Sequence, residues 1–157
     1  MVSRRARSDL LPLIVADIFE LAGAFRRNGE SIAHAHGQTQ ARWQVLSAAS
    51  AAPKTVPQIA RRLGVSRQNV QRIAESLVRD AKANFVGNPD HRTSPHLVLT
   101  DGGRATLARL TQAAGTEHKA LADRLRELDL DALRGGLRAV LAALHLHDQS
   151  TKEEDHG

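Results

Sequence analysis

Apolar residues recur at intervals of three and four along most of the chain, the spacing of one buried helical face. From Asp9 to about Asn28 the stripe is Leu10, Leu13, Ile14, Ile18, Leu21 and Phe25, and the pair Asn28-Gly29 predicts its end. Thr39 is placed to cap a second helix through about Ser50, with Trp43, Val45 and Leu46 suited to burial and Pro53 beyond its end. Thr55-Val56-Pro57-Gln58 has the residues of a capping box, Thr at the cap and Gln three positions on, with proline tolerated in the first turn. Ile59, Ala60 and Leu63 form the inner face of this short third helix. Gly64 then supplies a left-handed residue for a sharp turn, and Ser66 caps a fourth helix whose inner face is Val70, Ile73 and Leu77.

The period changes after this helix. Asn84-Phe85-Val86 reads as a short strand, Gly87-Asn88-Pro89-Asp90 as turn chemistry, and His96 to Leu99 as a second strand, with the polar tip HRTSP between them. Helical spacing returns after Thr100, which is suited to cap the next helix. Leu107, Leu110, Leu121, Leu125 and Leu128 run to Asp129, in a pattern loosened around Gly115. A last helix carries Leu133, Leu137, Val140, Leu141 and Leu144. Two leucine stripes exceed what so small a body needs for its own core, which predicts a dimer interface; an intramolecular helical hairpin is the alternative.

The polar face of GVSRQNVQRIAESLVRD is the unusual feature. At about 100° per residue, Gln68, Arg72, Glu75 and Arg79 lie opposite the apolar stripe, with Asn69 and Gln71 at the flanks. A merely solvated face more often mixes Glu and Lys. Long amide and guanidinium side chains instead make paired hydrogen bonds to purine edges. Charge points the same way. Between Pro53 and Arg104, Lys and Arg outnumber Asp and Glu nine to four, so this segment holds the whole chain's excess of +5. A solvated basic face would give the same balance.

A short helix, a tight turn and a second helix make a helix-turn-helix unit, whose second helix enters the major groove by its N-terminal end. Arg67, Gln68, Asn69 and Arg72 then fall at or near base edges with Gln71 beside them, while Ser66 and the free helix N-terminal amides face phosphates. The hairpin that follows is the wing of a winged helix. Arg92 at its tip is the candidate for the minor groove, His91 for a phosphate, and Asp90 either orients the loop or pairs with an arginine. Asp90 as a plain turn former is an equal alternative.

The segments ARWQVLSA, VPQIARRLGVSRQNVQRIAESLV and NPDHRTSPHLVLTDGGRATL resemble the second helix, helix-turn-helix and wing of the MarR family of bacterial transcriptional regulators. The specific part is Asp90-x-Arg92 followed by Leu99-Thr100 and Gly103, which is similar to the family's D-x-R…L-T-x-x-G signature. The resemblance covers about Asp9 to His147 in helix order, the terminal helices by pattern only. It implies a winged-helix homodimer on a palindromic DNA site, usually a repressor and often released by a small ligand. It also implies that the terminal helices pair across the two-fold axis, setting two recognition helices about 34 Å apart. One departure is that the family's usual Gly-Leu after the recognition helix is replaced by Asp80-Ala81-Lys82-Ala83, which puts the entry into the wing in question.

The expected fold is mostly α with a small β-hairpin wing, a winged helix-turn-helix whose N- and C-terminal helices form a dimerisation domain. By residue, 1–8 are a basic tail, 9–36 the N-terminal dimerisation helix, 37–100 the DNA-binding domain, 101–147 the C-terminal dimerisation helices and 148–157 a disordered tail. Arg4, Arg5 and Arg7 offer a DNA-contacting arm if the first tail orders. The chain has no cysteine, which excludes disulfides, thiol sensing and Cys-ligated zinc. No signal peptide or membrane-spanning run is apparent, so a soluble cytoplasmic protein with no membrane partner is expected.

No catalytic or cofactor-binding motif is present, so neither enzyme activity nor a cofactor is expected. Among eight histidines, His34-x-His36 and His145-x-His147 suggest metal, but helical residues two apart diverge, so no metal site is assigned. A metal-responsive regulator, a non-specific architectural DNA-binding protein and a winged helix used for protein contact are the alternatives to a specific regulator. A small-molecule effector is expected between the winged-helix body and the dimer arms, with His34 and Trp43 as lining candidates.

Overall fold

The computed structural model describes residues 7–154, with side chains described over 9–146. Arg4 and Arg5 lie outside the described residues, as do 155–157 of the expected tail and the side chains of Arg7 and His147. Six helices and three short strands follow in the order α1 (Arg7–Ala35), α2 (Gln40–Ser50), β1 (Lys54–Thr55), α3 (Val56–Leu63), α4 (Arg67–Arg79), β2 (Ala83–Val86), β3 (His96–Leu99), α5 (Asp101–Arg124) and α6 (Leu130–Glu154). The chain divides into two units between Thr116 and Glu117, inside α5.

Most helix ends are where local hydrogen-bond chemistry puts them. Thr39 caps α2 by accepting from the Arg42 N–H at 3.2 Å, and Ser66 caps α4 by accepting from the Asn69 N–H at 3.2 Å. The capping box of α3 is complete: the Gln58 N–H donates to Thr55 Oγ1 and the Thr55 N–H to Gln58 Oε1. Gly64 closes α3 at φ +66°. Asp129 caps α6 by accepting from the Ala132 N–H at 2.9 Å.

Three expected helix ends move. Helix α1 passes through Asn28-Gly29 and stops at Ala35, where Gly37 takes φ +67° and the Gln38 N–H reaches Ala33 O at 2.9 Å. Gly29 serves packing instead of termination. A Cβ there would come within 2.9 Å of the Gln40 amide, so the missing side chain admits the start of α2. The junction is closed by Glu30, whose carboxylate accepts from the Gln40 N–H at 2.8 Å. Helix α5 runs unbroken through Gly115 and ends at Arg124, while α6 continues to Glu154, into the segment read as a tail.

The first unit is built around Val45, Leu46, Ile59, Val70, Ala74, Leu77 and Leu97, which come from α2, α3, α4 and the sheet and are all nearly or fully buried. The sheet has the order β1-β3-β2, both pairs antiparallel, with Ala83 opposite Leu99 and Val86 opposite His96. Alternation turns Leu97 and Leu99 into the core. The two-residue β1, with Lys54 opposite Leu97, has no periodic pattern of its own and is absent from the sequence reading.

Outside that core two helices keep apolar rows in the open. In the first unit α1 exposes Phe19 at 75% and Phe25 at 50%, with Leu11 and Leu21 beside them; in the second, α6 exposes Leu133, Leu137, Leu141 and Leu144. Among the described residues no helix is long and apolar enough to cross a membrane.

Candidate nucleic-acid interface

Helix α4 is held from beneath and from its C-terminal end. Val70, Ala74 and Leu77 are fully buried, which fixes the rotation of the helix and turns Gln68, Arg72, Glu75 and Arg79 outward, all exposed. At the far end the Arg42 guanidinium spans from α2 to α4. Its Nη2 donates to Asp80 Oδ2 at 2.6 Å, its Nη1 to Ser76 Oγ at 2.9 Å and its Nε to Gln38 Oε1 at 2.9 Å. Arg42 is only 16% exposed while Asp80 is 54% exposed, so the hydrogen bonds to the shielded guanidinium matter more than the screened ion pair.

The helix ends in an unusual residue. The Lys82 N–H donates to Leu77 O at 2.8 Å and the Ala81 N–H to Val78 O at 3.0 Å, the paired bonds of a Schellman cap. That cap needs a left-handed residue between them, and Ala81 supplies it at φ +52°, the one non-glycine residue at positive φ among those described. The Gly-Leu that the resemblance leads one to expect after this helix is missing, yet the chain turns here as a glycine would turn it.

The same turn explains the L-T-x-x-G residues. Thr100 Oγ1 donates to Ala81 O at 2.7 Å and accepts from the Gly103 N–H at 3.0 Å, while the Thr100 N–H reaches Lys82 O at 3.1 Å. Gly103 lies against that turn so closely that a Cβ would sit 1.9 Å from Lys82 O. These residues fasten the exit of α4 to the start of α5 and so aim both the helix and the wing.

The wing loop is built by Asn88. Its Nδ2 donates to Ser94 O at 2.9 Å and its Oδ1 accepts from the Asp90 N–H at 3.0 Å. Asp90 therefore sits in a turn organised by its neighbour, and its carboxylate pairs with no arginine among the described residues. His91 Nδ1 lies 3.3 Å from Thr93 Oγ1, and Arg92 is exposed with no hydrogen-bond partner among the described residues.

Between the wing and the start of α4 runs a groove of about 340 Å³, bordered by Arg67, Gln68 and Gln71 on one side and Thr93, Ser94 and Pro95 on the other. The expected base-contacting residues thus share one exposed surface with the wing, Asn69 being half-buried at its edge. Two contacts organise this face: Arg72 Nη2 donates to Asn69 Oδ1 at 3.1 Å, and Gln71 Nε2 to Glu75 Oε1 at 2.8 Å. Glu75 and Asn88 are absent from the sequence-based site, although the i, i+4 spacing of Gln71 and Glu75 was a readable signal for the first.

His34 is exposed at the end of α1 and Trp43 half-buried on α2; neither lines the wing groove or a second, open groove of about 540 Å³ beside Leu99, Arg104 and Leu107. Among the described residues no three of His, Cys, Asp or Glu are grouped to hold a metal ion.

A short helix, a tight turn, a second helix with a polar outer face and a hairpin flanking that face define a winged helix-turn-helix, a DNA-binding fold. Comparison with known proteins gives the family. Residues 36–81 match the MarR family. An uncharacterized protein of Mycobacterium tuberculosis is 52% identical over 137 residues, covering 87% of this chain and 96% of its own. The transcriptional repressor CouR, solved with a 23-mer DNA duplex, is 28% identical with a TM-score of 0.67, over 91% of this chain and 99% of its own. Staphylococcus aureus MarR, solved in complex with salicylate and kanamycin, has the same fold at a TM-score of 0.73 and 13% identity, over 89% of this chain and 93% of its own. The chain belongs to the MarR family of transcriptional regulators.

Proposed function

We propose that this chain is a dimeric, sequence-specific DNA-binding regulator, a repressor that a small ligand releases. The observation that carries the reading is the outer face of α4: Gln68 and Arg72 stand exposed at its centre, with Arg67 and Gln71 bordering the wing groove. Amide and guanidinium groups of this reach read base edges, and a buried inner face keeps them in register. Arg92 at the wing tip serves the adjacent minor groove, with His91 beside it for a phosphate, while Ser66 and Arg62, a cation exposed in the last turn of α3, serve the backbone.

A second copy of the chain is the partner that the exposed apolar rows of α1 and α6 call for. Burial of apolar surface contributes about 25 cal/mol per Å², so rows of Leu and Phe held in water favour self-association. Two-fold symmetry then matches the protein to a palindrome with half-sites about one helical turn apart. CouR, with its DNA duplex, supports the nucleic-acid part of the reading, and S. aureus MarR with salicylate supports the ligand part.

Selection of purified protein on pooled random duplexes, with sequencing at about 150 mM salt, tests the reading. Recovery of a palindromic motif is expected. Enrichment without a motif would make the protein an architectural one, and no enrichment would make the polar face of α4 a protein-contact surface. Sedimentation of the same protein is expected to give a dimer.

A further inference from the structure

The acid on the outer face of α4 has no place in a surface that merely attracts phosphate. Glu75 is exposed among Gln68, Arg72 and Arg79, on the face opposite the buried stripe, in the segment that holds the chain's entire positive excess. A carboxylate there repels the DNA backbone and weakens binding to every sequence alike. What it does in the free protein is hold a neighbour: its Oε1 accepts from Gln71 Nε2 at 2.8 Å.

That hydrogen bond settles which end of the Gln71 amide is which. A carboxylate only accepts, so the amide must turn a nitrogen toward it, and the amide oxygen is left at the free end with one N–H remaining. An unrestrained glutamine turns over and presents either end. A held one offers its oxygen first. An acceptor in the major groove meets the exocyclic amino group of adenine or cytosine and is repelled by the carbonyl oxygen of guanine or thymine, and of the two amino-bearing bases only adenine also offers N7 to the remaining N–H.

We infer that Glu75 is a positioning residue for base recognition: it fixes the polarity of the Gln71 amide so that each half-site carries an amino-bearing base, adenine before cytosine, where Gln71 reaches. The inference rests on the proposed reading of α4 as the recognition helix. Glu75 itself need touch no base. It acts by restricting what Gln71 accepts, and its charge lowers affinity for DNA that offers no such base.

The test is the same duplex selection run in parallel on the full-length wild type, Glu75→Ala, Gln71→Ala, the double variant and Gln68→Ala, each checked for an unchanged melting temperature. Glu75→Ala and Gln71→Ala are expected to lose preference at one and the same position of each half-site, by about tenfold. The double variant should lose no more than either, and Gln68→Ala should relax a different position. Glu75→Ala should also bind a scrambled duplex more tightly than wild type does. A wild-type motif that Glu75→Ala keeps intact overturns the inference and leaves the recognition helix standing, as does loss at a position other than Gln71's. No motif with the wild type overturns both.

Discussion

Replacing Gly103 with alanine isolates what holds α4 and the wing in place. The new Cβ would lie 1.9 Å from Lys82 O and 2.9 Å from Lys82 C, both backbone atoms, where ordinary van der Waals contact begins at 3.4 Å. No rotamer relieves this. Either the start of α5 or the turn Asp80-Ala81-Lys82 must move, and the bonds from Thr100 Oγ1 to Ala81 O and from the Thr100 N–H to Lys82 O open with it. Overpacking of this kind costs about 1–3 kcal/mol, and two lost hydrogen bonds add about 1 kcal/mol each, giving about 3–5 kcal/mol. Natural domains are stable by only about 5–15 kcal/mol, so the melting temperature should fall by about 6–20 °C.

Gly102 is the matched control. A Cβ there would lie 3.4 Å from Ala81 O, an ordinary contact, and alanine is the better helix former, so Gly102→Ala should leave stability unchanged or raise it by about 0.5 kcal/mol. Thermal and urea unfolding followed by circular dichroism, at one fixed protein concentration, measures both. Gly103→Ala within about 1 kcal/mol of wild type, or an equal loss in Gly102→Ala, would refute the steric reasoning.

The neighbouring residues give further outcomes. Ala81→Gly, at φ +52°, should stabilise the protein by about 0.5–1 kcal/mol in the same unfolding assay, because glycine takes this conformation without the clash that Cβ brings. Arg42→Ala should cost about 2 kcal/mol and Asp80→Asn less than about 1 kcal/mol, with a coupling in the double-mutant cycle that shows the shielded side of the network dominates. In DNA titrations across salt concentrations, Arg62→Ala should weaken all duplexes alike and flatten the log–log salt slope by about one, whereas Gln68→Ala should reduce base discrimination by about 1–3 kcal/mol and leave the slope unchanged. Trp43 is the only tryptophan, so a ligand bound against it should shift the intrinsic fluorescence in proportion to DNA release; release with an unchanged spectrum places the ligand elsewhere.

Local chemistry made much of this protein readable as a string of residues. Thr39, Thr55 with Gln58, Gly64, Ser66, and Thr100 in its cap on Gly103, each act on partners within a few positions along the chain, and these hydrogen bonds are those that the spacing predicts. The inner face of α4 was readable for the same reason, since a 3.6-residue period needs no knowledge of what it packs against. Glycines were readable only where the reason was local. Gly64 relieves a left-handed backbone and was read as such, whereas Gly37 does the same after Ala35, beyond the end that Asn28-Gly29 predicted; Gly29 is required by Gln40 and Gly103 by Lys82, and neither requirement exists until two separate segments meet. Ala81 makes the converse point, for it turns like a glycine because Thr100 and the exit of α4 hold it there.

The sequence by itself therefore determined most of the helices and caps, the hairpin and the polar outer face of α4, all of which follow from interactions spanning one or two turns. Only the tertiary structure decided that α1 runs on to Ala35, that β1 joins the wing sheet, that Arg42 ties α2 to the end of α4, and that Thr100 and Gly103 clasp the turn after it. Those features depend on atoms far apart in the chain coming within van der Waals or hydrogen-bond reach, and a linear pattern carries no distance between them.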